Sequence, residues 1–157
     1  MPVTPFHFGP GVMLKAALPR RVSLTAFVAA NVVIDAESVV NLLAGRWPVH
    51  AALHTLVGAL AVGLAAGFAV AAVGRWRRWR GAEWALPAAL TGGVLGGLGQ
   101  TLLDAVMHAD LRPFLPLTDA NPLLRIVALD VLHSACLLAG FVGVAGIGWR
   151  WWRALPR

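Results

Sequence analysis

The chain has 157 residues, 59% of them hydrophobic and 13% charged, with a formal net charge of +6. Soluble domains carry roughly 25% charged residues, so this composition excludes an ordinary soluble fold and points to one integral membrane domain, residues 1–157. A single cysteine, Cys136, excludes an internal disulfide framework.

The first segment, residues 1–19, reads MPVTPFHFGPG at its start. It lacks a charged opening and places proline and glycine where a signal peptide needs an apolar core. It is expected to be interfacial or re-entrant. Irregular backbone at membrane depth must be buried in protein or line a cavity.

Four apolar runs follow, each long enough for the roughly 20 helical residues that cross a bilayer. The predicted fold is an all-α, multi-pass membrane bundle with spans at about 22–43, 49–73, 84–107 and 124–148. The first span carries Asp35 and Glu37. Asn31, Asp35 and Ser38 share one helix face, whereas Glu37, two positions from Asp35, points the other way. Both carboxylates reach one site only if the helix bends or unwinds.

The second span opens with His50 and His54, four apart and on one face if the helix already runs there. The third contains TGGVLGGLGQ. Its Gly92, Gly93, Gly96 and Gly97 form two small-xxx-small patterns, which let helices approach closely inside the bundle. A homo-oligomer seam through Gly92 and Gly96 is the alternative. The same span closes with the stripe Gln100, Asp104, His108. Asp130 and His133, three apart, open the fourth. Glu83, Asp110 and Asp119 read as solvated loop or interface charges.

Basic residues orient these spans. Lys15, Arg20 and Arg21 precede the first span, Arg75 to Arg80 separate the second and third, and Arg150, Arg153 and Arg157 follow the fourth. The positive-inside rule places both termini in the cytoplasm. Six tryptophans, from Trp76 to Trp152, flank the same boundaries as interfacial anchors do. RWRRWR therefore reads as an Arg/Trp interface anchor and not as a nucleic-acid patch.

In this orientation the ionisable groups share the outer half of the membrane. Asp35 sits about 13 residues into an outward-going helix, roughly 20 Å up at 1.5 Å per residue. A charge in hydrocarbon costs several kcal/mol on insertion scales, so it faces the bundle interior and has a partner. Imidazole and carboxylate are also the usual ligands of zinc and similar cations. Asp35, His54 and Asp104 are the leading candidates, with His7, Glu37 or His108 completing the shell. His50, Gln100, Asp130 and His133 are secondary. Each His–Asp pair equally suits an interhelical hydrogen bond that only locks the bundle.

TPFHFGPG with His7, VIDAE with Asp35 and Glu37, VHAALHT with His54, and GQTLLDAVMHADLRPFLP with Asp104 follow one another over most of the chain. In this order they resemble the bacterial inner-membrane family of membrane-bound metal-dependent hydrolases. That family carries an early Gly-His or Thr-His, then Pro-Asp-x-Asp, then His-Arg-Gly-x-Thr-His-Ser, then His-x-x-x-Asp before a Pro-rich stretch. The resemblance implies a metal-dependent hydrolase; imidazole, a softer ligand than water, favours zinc over magnesium, and a membrane-embedded site points to a lipid or lipid-linked ester or phosphoester. The chain departs from the pattern at three places. His-Arg-Gly becomes Val49-His50-Ala51, the second aspartate becomes Glu37, and the histidine four before the last aspartate becomes Gln100. The alternative is a non-enzymatic membrane protein: a proton or cation carrier, or a structural bundle.

Overall fold

In the computed structural model, which describes residues 5–155, the chain is all-helical. The helices are α1 (Phe8–Ala17), α2 (Leu24–Leu43), α3 (Leu56–Trp76), α4 (Leu86–Met107) and α5 (Leu129–Arg153), with short 3-10 turns at Pro5–His7, Ala52–His54 and Ala82–Trp84. Helices α2 to α5 are long and apolar enough to cross a membrane, as the four hydropathic runs predict. The ten-residue α1 is about 15 Å long, half a bilayer. It runs along α5 from the level of Asp104, which His7 just before it approaches, to the level of Glu83, which Lys15 meets. Placement of the N-terminus falls on residues 1–4, outside the described residues.

One polar junction fixes the basic end. Ser23 caps α2 by accepting from Ala26 N at 3.2 Å. Glu83 Oε1 accepts from Thr25 N at 2.6 Å and from Ser23 Oγ at 3.1 Å, and its Oε2 pairs with Lys15 Nζ. Glu83 is thus a helix-capping group and not the solvated charge expected from sequence. Burial opposes its ionisation, but the bonds from Lys15 and Thr25 outweigh it and hold the carboxyl below the usual glutamate range. In the loop between α3 and α4 the Arg77 guanidinium lies 5.2 Å from the Trp76 ring centre and 5.8 Å from that of Trp79, within cation–π range.

Glycines set the helix spacing. A Cβ on Gly92 would lie 2.1 Å from Ser23 O, and one on Gly96 2.5 Å from Phe27 O, so this stripe seats α2 beside a parallel α4. A Cβ on Gly93 would lie 2.1 Å from Gly63 O, and one on Gly97 2.3 Å from Ala59 O, so the second stripe seats the antiparallel α3. Gly92 and Gly96 therefore pack against the α2 backbone within the chain. Helix α5 packs mainly on α1, through Gly9 against Cys136 and Gly143 against Met13. Its other face, including Leu138 and Phe141, is exposed apolar surface suited to lipid.

Two span boundaries differ from the hydropathic reading. The second helix starts at Leu56 and not near Val49, because Thr55 caps it by accepting from Gly58 N at 2.9 Å. The fourth starts at Leu129. Asn121 Nδ2 donates to Ala105 O at 2.8 Å and Arg125 N to Val106 O at 3.0 Å, which ties the preceding apolar stretch to the end of α4 as a loop.

Candidate metal centre

Helices α2 and α4, running parallel, bring Asp35 and Asp104 to one depth. Gln100, one turn below Asp104, joins them: its Nε2 donates to Asp35 Oδ1 at 2.6 Å and to Asp104 Oδ2 at 3.0 Å. The loop before α3 supplies His54, almost fully buried, and the turn before α1 supplies His7. Ligand atoms of Asp35, His54 and Asp104 all lie within 4.8 Å of one another, so the three residues from three elements can hold a metal ion.

Asp104 is the hub. His7 Nε2 lies 3.5 Å from its Oδ1, His108 Nε2 3.7 Å from the same oxygen, and His54 Nε2 3.5 Å from its Oδ2. These separations exceed the usual 2.7–3.2 Å of an N–H···O hydrogen bond. Two ligands each about 2.1 Å from a tetrahedral ion are about 3.4 Å apart, which matches. Both ring nitrogens of His7 and Oε1 of Gln100 are buried without a hydrogen-bond partner. Buried polar atoms normally have one. Orphaned imidazole nitrogens beside a carboxylate are the donor set that zinc or a similar cation takes, so the residues fit the ion.

Glu37 reaches His54 with α2 unbroken from Leu24 to Leu43. Asp35 faces Gln100 and Asp104, while Glu37 Oε2 accepts from Leu53 N at 2.9 Å and lies 3.4 Å from His54 Nδ1. The His54 ring thus bridges two faces of the site, with Glu37 at one nitrogen and Asp104 at the other. A carboxylate at the far nitrogen is how ligating imidazoles are oriented. Ser38 Oγ, on the Asp35 face, lies 3.5 Å from His54 Nε2.

His50 and His54 do not share a helix face, since both precede α3. They meet because the irregular 49–55 segment folds back, with the two rings edge to face at 4.8 Å. His50 also stacks on His108 at 4.1 Å. Its Nδ1 lies 3.0 Å from both oxygens of Asp110, whose Oδ2 accepts from Val49 N and His50 N at 3.0 and 3.1 Å. Asp110 was expected to be solvated, yet its side chain is only 8% exposed. Burial opposes its charge, but the backbone and side-chain bonds from His50 prevail and keep the carboxyl below the usual aspartate range. The available signal was its place two residues after His108, at the depth of His50. Asp119 is exposed as expected. Asp130 is exposed and outside the cluster, and His133 stacks on Phe6 at 4.7 Å, one residue from His7.

No protein-family model, curated protein or solved structure matches this chain. Fold and site define it as a membrane-embedded helical protein with a buried histidine–carboxylate cluster able to hold a metal ion.

Proposed function

We propose that the chain is a metal-dependent hydrolase embedded in the bacterial inner membrane, with zinc held by His7, His54, Asp104 and Asp35. The substrate is a lipid or lipid-linked ester or phosphoester, because the ligands lie at membrane depth among apolar helices. One observation carries this reading: three imidazole nitrogens, one each from His7, His54 and His108, surround Asp104 at 3.5–3.7 Å, and the one on His7 is buried with no hydrogen-bond partner. When bound, the ion supplies Lewis acidity toward a phosphoryl or carbonyl oxygen. Glu37 fixes the His54 ring so that Nε2 faces the centre. Gln100 holds the two carboxylates together. The packed helices keep bulk water from the ligands and strengthen every charge interaction among them.

A second reading, a non-enzymatic bundle or cation carrier, draws on Gln100, whose amide ties α2 to α4 without any ion. Metal analysis of the purified protein beside Asp104→Ala, with hydrolysis of phospholipid and lipid-linked phosphoester measured in proteoliposomes, separates the two. Bound metal and hydrolysis lost together in the variant support the enzyme. Metal-free wild type without hydrolysis leaves the structural bundle, and cation uptake without hydrolysis leaves the carrier.

A further inference from the structure

The Asp35–His54–Asp104 group does not exhaust the buried ligands. His50, His108 and Asp110 form a second group whose ligand atoms also lie within 4.8 Å of one another. We propose that this group is a second cation position, so that the centre holds two divalent ions with Asp104 between them. The proposal rests on the reading of the first group as an ion site, and the ion count below distinguishes their failures.

Three observations carry it. Asp104 touches both groups: its Oδ2 faces His54 at 3.5 Å, and its Oδ1 lies between His7 at 3.5 Å and His108 at 3.7 Å. A carboxylate set this way suits paired ions about 3.5–4 Å apart, the spacing of two-metal hydrolytic centres. The charge count agrees. Asp35, Glu37, Asp104 and Asp110 bring four carboxylates into one cluster, and among the described residues no lysine or arginine pairs with any of them. With all four ionised, one divalent ion balances half of that charge and two balance all of it. Uncompensated buried charge is strongly destabilising.

The third observation is the design of the second group itself. An aspartate needed only to pin the 49–50 backbone would require no imidazole pair. Here His50 and His108 stack at 4.1 Å beside it. Backbone N–H groups occupy Asp110 Oδ2, while Oδ1 meets His50 Nδ1 and keeps lone-pair capacity for a cation.

Metal-free protein in detergent micelles, titrated with Mn(II), tests this. Wild type should take up two ions per chain and give an exchange-coupled EPR spectrum at saturation. Asp110→Asn and, independently, His108→Gln should take up one ion and give the spectrum of isolated Mn(II). One uncoupled ion in wild type overturns the second position and spares the first. No bound ion overturns both. Two coupled ions in either folded variant also overturn the proposal. Where neither variant folds, the wild-type count and spectrum decide alone.

Discussion

His54 Nε2 faces Asp104 Oδ2 at 3.5 Å, beyond ordinary hydrogen-bond length and right for two ligands of one ion. The pair joins the loop before α3 to the last turn of α4, so an ion there fastens that end of the bundle. A ligand of the folded state stabilises it by about 4 kcal/mol at a thousand times its Kd. For a chain of this size that is about 10 °C in Tm. Chelation should lower the wild-type Tm by that order, and Asp104→Ala should melt identically with and without chelator. Differential scanning fluorimetry reads both; a chelator-sensitive Asp104→Ala would remove Asp104 from the ligand set.

The glycine stripes make a second prediction. A Cβ on Gly93 would sit 2.1 Å from the carbonyl oxygen of Gly63, a backbone atom that cannot swing aside. Gly93→Ala should therefore cost about 1–3 kcal/mol through overpacking. On the same helix, a Cβ on Gly99 meets nothing within 4 Å. Gly99→Ala should be neutral, or stabilising by up to about 1 kcal/mol through helix propensity. Equal losses in the two variants would contradict the α3–α4 packing.

At the basic end, Glu83 gives a pH dependence of known sign. Its folded-state pKa is depressed, so its contribution is complete above the unfolded value of about 4.5 and is lost as pH falls through the lower folded value. Glu83→Gln should melt below wild type at pH 6, and the gap should narrow at about pH 3.5. Thermal melts of both proteins at the two values check this. A gap that widens on acidification would show that the Lys15 and Thr25 bonds do not favour the charged form.

The spans were legible because hydropathy and length alone specify a bilayer helix. The convergence of Asp35, His54 and Asp104 was legible too, because positive-inside orientation put them at one depth and lone buried charges need partners. The 49–55 segment was not. Its apolar residues continue the hydropathy of α3, and the helix start is fixed by a single Thr55 hydroxyl. Gly58 stands where a capping box would place Glu or Gln, so no reciprocal side chain announces that start. Asp110 was missed for a related reason. Its burial depends on the backbone of Val49 and His50 folding onto it from 61 and 60 residues away, which no local pattern encodes. The apparent conflict between Asp35 and Glu37 dissolved because an imidazole is long enough to be touched from both faces.

Topology is tested directly. Arg78 lies in the loop between α3 and α4, and Arg112 in the loop after α4. With Cys136 replaced by Ala, single cysteines at these two positions should label from opposite sides of the membrane with an impermeant maleimide, Arg78→Cys from the cytoplasmic side. Labelling of both from one side would remove α4 from the set of spans.

Gln100 decides whether ion or amide holds the site together. Its Nε2 bridges Asp35 and Asp104, while its Oε1 is buried without a partner. Gln100→Leu keeps a similar volume and removes the shared donor. In chelator the two carboxylates then face each other without the shared amide donor, and a lost hydrogen bond to a charged group costs about 1.5–3 kcal/mol. With Zn(II) present, the ion meets both carboxylates and takes over the role of the amide. Gln100→Leu should therefore melt below wild type in chelator and recover at least half of the gap when Zn(II) is restored. A gap of the same size under both conditions would mean that no ion contacts Asp35 and Asp104 together, and that the amide alone ties α2 to α4.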